Sequence, residues 1–155
     1  MLEREVAGKK MAFTLIWISM MLACVIYFII PEFIPLTETD TPEPLMIIKE
    51  IRIALSAVMF IAGTVMIWNK ACCSRSGENS WRFLERAQKY FIIGLAFYEM
   101  IAIFGLVTYF LGFPEDYKYF MALSFVMIAC AGSKISPIFS HYQSLKELEN
   151  VSGRG

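Results

Sequence analysis

Glu99 is the residue of this sequence whose type and position most strongly indicate chemistry. It is the only charged residue in an apolar stretch that runs from position 90 to position 112. Counted from Lys89, Glu99 lies ten residues into this stretch, or about 15 Å along a helix. An ionised carboxylate at that depth of a bilayer costs at least about 2.5 kcal/mol, so an acid in this position indicates a functional site.

Small residues recur around Glu99 at helical spacing, among them Gly94, Ala102 and Gly105. A helix with such a surface packs closely against another helix. We therefore predict an ion-binding site at Glu99, with these three residues as packing positions beside it. Apolar surroundings favour the neutral form of a carboxyl, so Glu99 is expected to stay protonated until a partner charge or a proton path reaches it.

The composition predicts an all-α integral membrane protein. The chain has 155 residues, of which 57% are hydrophobic, and its mean hydropathy is +0.56, whereas soluble domains are usually less than half apolar. Four apolar runs approach the length that crosses a bilayer. They predict four transmembrane helices in one domain of residues 1–155, at about residues 11–30, 51–69, 90–112 and 119–136.

The distribution of basic residues predicts the orientation of these helices. If the chain crosses four times, one side holds eleven basic residues and the other holds only Lys49, Arg52 and Lys118. The eleven are Arg4, Lys9, Lys10, Lys70, Arg75, Arg82, Arg86, Lys89, Lys134, Lys146 and Arg154. Because basic loops stay inside, both termini are predicted to be cytoplasmic, in the bacterial inner membrane or an equivalent membrane.

The polar segments have distinct predicted roles. Residues 31–44 are rich in proline and acid, which predicts an extended external loop. Residues 70–89 are predicted to form a cytoplasmic amphipathic loop. Its second half is predicted to be helical and to contact either anionic lipid headgroups or a soluble partner. The chain after residue 136 is expected to begin as a short amphipathic helix and to end disordered.

The remaining candidate groups do not indicate catalysis. Cys72 and Cys73 are adjacent, and the single histidine, His141, lies far from them, which is not metal-ligand spacing. The two thiols are read as reduced cysteines, with juxtamembrane acylation as the alternative. Because no second catalytic group accompanies Glu99 within the runs, the sequence predicts no enzyme, no metal, no cofactor and no nucleic-acid partner.

One stretch resembles a known family. The run IIGLAFYEMIAIFGLV, residues 92–107, is similar to the carboxylate-bearing helix of rotary ATP synthase c subunits, the proteolipid family. The matching positions are Gly94, Leu95, Ala96, Glu99, Ala102, Ile103, Gly105, Leu106 and Val107. The resemblance covers one helix of four, and it implies that Glu99 binds and releases the transported ion. Since Met100 and Ile101 replace the hydroxyls of sodium-binding relatives, the implied ion is a proton.

Two functions follow as hypotheses. The first is a proton-translocating, c-subunit-like component that works as a homo-oligomer or beside a membrane-protein partner among the membrane lipids. The alternative is a non-catalytic scaffold or assembly subunit of a larger complex, in which a protonated Glu99 is hydrogen-bonded to Ser56, Thr64 or Ser124. A direct pair with Lys134 is not expected, because a lysine near the inner end of a helix can extend to the interface.

Overall fold

The structure, a computed structural model, describes residues 2–34, 44–74 and 77–152. Its helices are α1 (Leu2–Phe33), α2 (Pro44–Thr64), α3 (Ser80–Phe110), α4 (Pro114–Gly132) and α5 (Ile135–Ser152), and a π-helical segment, Val65–Ala71, continues α2. No strand occurs in these ranges. Four helical stretches are long and apolar enough to cross a membrane: Val6–Phe33, Glu50–Ala71, Ser80–Phe110 and Pro114–Val151. The predicted all-helical class is confirmed, and so are four helices long and apolar enough to span a membrane.

Apolar side chains cover the outside of the bundle. Leu22 and Ile26 of α1, Ile61 of α2 and Val126 of α4 are each more than half exposed. A water-soluble protein rarely exposes so much continuous apolar surface, whereas lipid chains solvate it at no cost. Surface and helix length together support a multi-pass membrane protein.

The third helix is the centre of the fold, because α3 contacts α1, α2, α4 and α5. Leu84, Phe91 and Tyr98 lie seven residues apart on its buried face, and all three are fully buried. This spacing is the repeat of a helix that packs along its whole length against neighbouring helices. Glu99 follows directly after the last of these residues, so the fold places it at the edge of the packed core.

Two glycines let α2 and α3 approach closely. A Cβ atom added to Gly63 would lie 2.6 Å from Cε1 of Tyr98 and 3.1 Å from the carbonyl oxygen of Gly94. A Cβ atom added to Gly94 would collide with the side chain of Ile67 and would lie 3.1 Å from the carbonyl oxygen of Gly63. In a membrane, where lipid offers no hydrophobic drive between helices, such close packing supplies much of the attraction.

The starts of α1 and α3 and the whole of α5 meet at one end of the bundle, which we call the basic end. The ammonium group of Lys9 lies 3.9 Å from the ring centroid of Trp81. The backbone N–H and the hydroxyl of Ser80 donate to the carboxylate of Glu149, at 2.6 and 2.8 Å. A carboxylate there satisfies open N–H groups and complements the helix dipole, so the end of α5 caps the start of α3.

Arg86 holds the connection between α2 and α3 at the basic end. Its Nε and Nη2 donate to the two carboxylate oxygens of Glu78, each at 2.7 Å. Its guanidinium also donates to the backbone carbonyls of Lys70 and Cys73. The planar fork of arginine suits such a bidentate contact, which lysine cannot reproduce.

Aromatic residues join the helices at the opposite end. The hydroxyl of Tyr109 lies 3.0 Å from the carbonyl oxygen of Pro31 and 2.8 Å from that of Ile34. These carbonyls lie at the end of α1, where helix geometry leaves acceptors without intrahelical donors. Arg52 is buried there, with its guanidinium 5.1 Å from the centroid of the Phe113 ring.

The second half of residues 70–89, which the sequence predicts to be helical, forms the start of α3 at Ser80. The structure differs from the sequence-based boundaries at the end of the fourth predicted span and at the end of the first. The last predicted span ends earlier, at Gly132, and α5 then continues to Ser152 where disorder was expected. Pro137 lies in the first turn of α5, which begins at Ile135, and proline is tolerated in a first turn. The predicted external loop lies mostly outside the described residues, although α1 extends past Pro31 to Phe33.

Substituting the helix-contact glycine should destabilise the bundle. We expect Gly63→Ala to lower the free energy of unfolding by about 1–3 kcal/mol, because its Cβ overpacks the Tyr98 ring. The matched control is Gly8→Ala, at a helical glycine with nothing within 4 Å of an added Cβ, which should stabilise by about 0.5–1 kcal/mol. Thermal unfolding in detergent measures both. Equal effects of the two substitutions would contradict the close approach.

The two adjacent cysteines should differ in reactivity. Cys73 is exposed, whereas Cys72 is half-buried and its thiol donates to the carbonyl of Ile67 at 3.2 Å. Burial raises the pKa of the Cys72 thiol, with Lys134 acting in the opposite direction. Since the thiolate is the reactive form, Cys72→Ser should keep rapid maleimide labelling near neutral pH, and Cys73→Ser should leave a slower site that needs higher pH. Equal labelling rates in the two variants would contradict the partial burial of Cys72.

Candidate functional site

Glu99 lies at the seam between α1 and α3, midway along the packed bundle. Its side chain is half-buried, and the hydroxyl of Tyr27 in α1 donates to its Oε1 at 3.2 Å. This is the hydrogen bond that joins Glu99 to another helix in the described part of the chain. The structure therefore provides a donor for the acid, and the donor comes from the first helix.

Tyr27 was not predicted as the partner of Glu99, and the reason is geometric. Tyr27 lies seventeen residues after Lys10, or about 25 Å along its helix, whereas Glu99 is about 15 Å from Lys89 by the same measure. The two helices run parallel in one register, because Lys9 lies over Trp81 and Tyr27 reaches Glu99, and both pairs are 72 positions apart. The charged start of α1 therefore lies beside the amphipathic start of α3 and not beside Lys89. As a result, a depth counted from Lys10 in α1 does not equal a depth counted from Lys89 in α3.

The predicted hydrogen-bond partners of Glu99 do not bind it in the described structure. Ser124 of α4 donates to the backbone carbonyl of Tyr98 at 2.6 Å. Thr64 of α2 shares a hydrogen bond of 3.1 Å with the hydroxyl of Tyr98. Ser56 is buried, and its hydroxyl has no hydrogen bond within the described ranges. The hydroxyls of Thr64 and Ser124 therefore join α2, α3 and α4 through Tyr98, which points away from Glu99.

A polar layer crosses the middle of the bundle beside Glu99. The sulfur of Cys24 in α1 lies 3.5 Å from the hydroxyl oxygen of Ser124 in α4. Ser124 is ten residues from Pro114, or about 15 Å from the start of α4. Glu99 lies at the same distance from Lys89, but Lys89 is toward the opposite end of the bundle. Helix geometry thus places the polar layer near the middle of a span of about 30 Å, the thickness of a bilayer core.

The predicted packing residues lie on both sides of the acid. Gly94 contacts α2 at Gly63 and Ile67, and Ala102 is fully buried. A Cβ atom added to Gly105 would lie 2.8 Å from the Cβ of Phe120 and 3.2 Å from the carbonyl oxygen of Tyr117. The small residues of α3 therefore bring α2 and α4 close, while the α1 side is left to Glu99 and Tyr27.

Charged groups that could neutralise an ionised Glu99 lie elsewhere in the described structure. The ammonium group of Lys134 lies 5.1 Å from the ring centroid of Trp68, toward the basic end, and Arg86 binds Glu78. The described residues also contain no group of three His, Cys, Asp or Glu side chains that could hold a metal ion. The local chemistry is that of a single carboxyl group with one phenol donor.

The Tyr27–Glu99 contact can be measured by a double-mutant cycle. Tyr27→Phe removes the donor, and we expect it to lower the free energy of unfolding by about 0.6 kcal/mol, the mean for interhelical hydrogen bonds in membranes. The loss should disappear when Glu99 is replaced by leucine. Tyr119→Phe is the control, since Tyr119 is 76% exposed. A Tyr27→Phe effect that persists in the Glu99→Leu background would show that the two residues are not coupled.

Comparisons with protein families, with curated proteins and with solved structures find no significant match to this chain. The resemblance of residues 92–107 to the c-subunit helix therefore stays a prediction from the sequence. The function has to be argued from the geometry around Glu99.

Proposed function

We propose that the protein is a non-catalytic scaffold or assembly subunit of a larger membrane complex, and that Glu99 is the group through which the α1–α3 seam binds a partner helix. The observation that carries this proposal is the hydrogen bond from Tyr27 to Oε1 of Glu99 at 3.2 Å. This hydrogen bond gives Glu99 a partner within the helical bundle of a single chain. A second copy of the chain or another membrane protein is the proposed partner.

The protonated form of Glu99 suits this role. A neutral carboxyl group can accept from Tyr27 and still donate its own proton to a second acceptor. Its side chain is half-buried, and Ala96, one turn before it, is exposed. A small exposed residue beside a hydrogen-bond donor lets a second helix come close enough to offer a carbonyl or side-chain acceptor.

The energies favour a neutral acid in the isolated bundle. Ionising a carboxyl group in mid-membrane costs at least about 2.5 kcal/mol, whereas an interhelical hydrogen bond contributes about 0.6 kcal/mol. Tyr27 alone therefore does not offset the cost of a charged Glu99. A transport role requires a cation or a water-filled path from a partner, and the scaffold role requires neither.

Proton translocation is the second candidate function, and one observation favours it. Glu99 lies at an outer seam and is not enclosed in the core, so a partner with a basic group can reach it. Together with the resemblance of residues 92–107 to the c-subunit helix, this position supports a carboxyl that gains and loses a proton as the partner moves. In this role ionisation of Glu99 is essential, whereas a scaffold needs only its hydrogen bonds.

Two substitutions of Glu99 separate the functions. Glutamine accepts and donates hydrogen bonds but does not ionise, and leucine does neither. For a scaffold, we expect Glu99→Gln to leave the mass of the complex extracted from native membranes unchanged. Glu99→Leu should reduce its yield by about fivefold, the equivalent of losing one or two hydrogen bonds. Native gel electrophoresis in mild detergent measures the mass and yield.

Proton uptake by vesicles of the same native membranes provides the second measurement. If Glu99→Gln abolishes uptake that depends on this protein while the complex stays intact, the proton-carrier function replaces the scaffold. If neither substitution changes the complex or the uptake, Glu99 serves neither function. Tyr119→Phe again serves as the control for substitution at an exposed membrane residue.

A further inference from the structure

A cavity at the basic end has the composition of a phosphate site. Its volume is about 390 Å³, and it lies between the start of α1 and α5. Its lining includes Ala7 and Lys10 of α1 and Ser136, Ser140, Gln143 and Lys146 of α5. Two lysines, two serines and a glutamine thus surround one space, and no carboxylate lines it among the residues whose side chains the structure describes. Such a set of donors complements an anion with several oxygen acceptors.

The acidic residues of α5 near the cavity are directed elsewhere or lie in solvent. Glu149 is three residues after Lys146, but its carboxylate receives two hydrogen bonds from Ser80. Glu147 is exposed and adjacent in sequence to Lys146, and neighbours in a helix do not share a face. On the α1 side, Lys9 lies over Trp81. The positive charge of Lys10 and Lys146 is therefore available to a ligand.

The position of the cavity indicates a lipid. Lys10 directly precedes the apolar run 11–30, which is the level at which headgroup phosphates lie. From there an exposed apolar strip follows α1 toward the middle of the bundle, at Met11, Leu15, Ile18 and Leu22. Spacings of four, three and four residues keep a strip on one helix face, so an acyl chain can lie along it while its phosphate stays in the cavity.

We propose that this cavity binds an anionic phospholipid, with Lys10 and Lys146 contacting the phosphate and the hydroxyls of Ser136 and Ser140 donating to its oxygens. The apolar strip of α1 holds the first part of an acyl chain. This site is independent of Glu99, which lies in the middle of the bundle. The bound lipid bridges α1 and α5.

The test compares lipid binding by matched variants. Purified protein in a neutral detergent is mixed with phosphatidylglycerol or with phosphatidylcholine of the same acyl chains, and bound lipid is counted by native mass spectrometry. We expect about a tenfold preference for the anionic lipid, since each basic group near a membrane surface contributes several-fold. Lys10→Gln with Lys146→Gln should abolish the preference. Lys70→Gln with Lys89→Gln, an equal change at two exposed lysines, should leave it intact.

A second variant tests the cavity apart from its charge. Ala7→Leu with Ser140→Leu fills the space and keeps both lysines, and both positions are exposed, so the fold should persist. We expect this variant also to lose the preference. Retention of the preference by the filled variant, or its equal loss in the Lys70 and Lys89 control, would overturn the proposal. Displacement of the lipid by millimolar inorganic phosphate would also overturn it, because the site would then take free anions.

Discussion

The constraint on which this structure depends is that a bilayer supplies no water to polar groups, so each must find its partner within the protein. Several polar side chains in the middle of the bundle follow this rule and join the helices as a result. Trp17 of α1 donates to the carbonyl of Ile128 in α4 at 2.7 Å, and Ser124 of α4 donates to the carbonyl of Tyr98 in α3. Each hydrogen bond crosses between helices, and α3 or α4 takes part in each of them.

Glu99 meets this constraint only in part. Its Oε1 receives the hydroxyl of Tyr27, but the side chain is half-buried at an outer seam and its environment holds no opposite charge among the described residues. A neutral carboxyl tolerates that position, and a second helix or a partner cation would complete it. The two proposed functions, scaffold and proton carrier, therefore depend on the same residue. They differ only in whether Glu99 has to ionise.

The two ends of the bundle are built differently. At the basic end charged side chains close the structure: Arg86 binds Glu78 and two carbonyls, and Glu149 caps α3 at Ser80. At the other end a tyrosine hydroxyl and aromatic rings do so, with Tyr109 bound to the last carbonyls of α1. The basic end also carries the cavity with Lys10 and Lys146, so the charges that hold the helices together lie beside the two lysines of the proposed lipid site.

The sequence by itself determined the class, the four spanning helices and the acid at their middle, because length, hydropathy and the cost of a buried charge are properties of each helix alone. It also identified the small residues of α3, although not that Gly63 would be the partner of Gly94. Only the tertiary structure decided the partner of Glu99 and the cavity between α1 and α5. These depend on the register between helices, which places Lys9 at Trp81 and Tyr27 at Glu99. Register results from packing between side chains distant in sequence, and hydropathy along one helix carries no information about it.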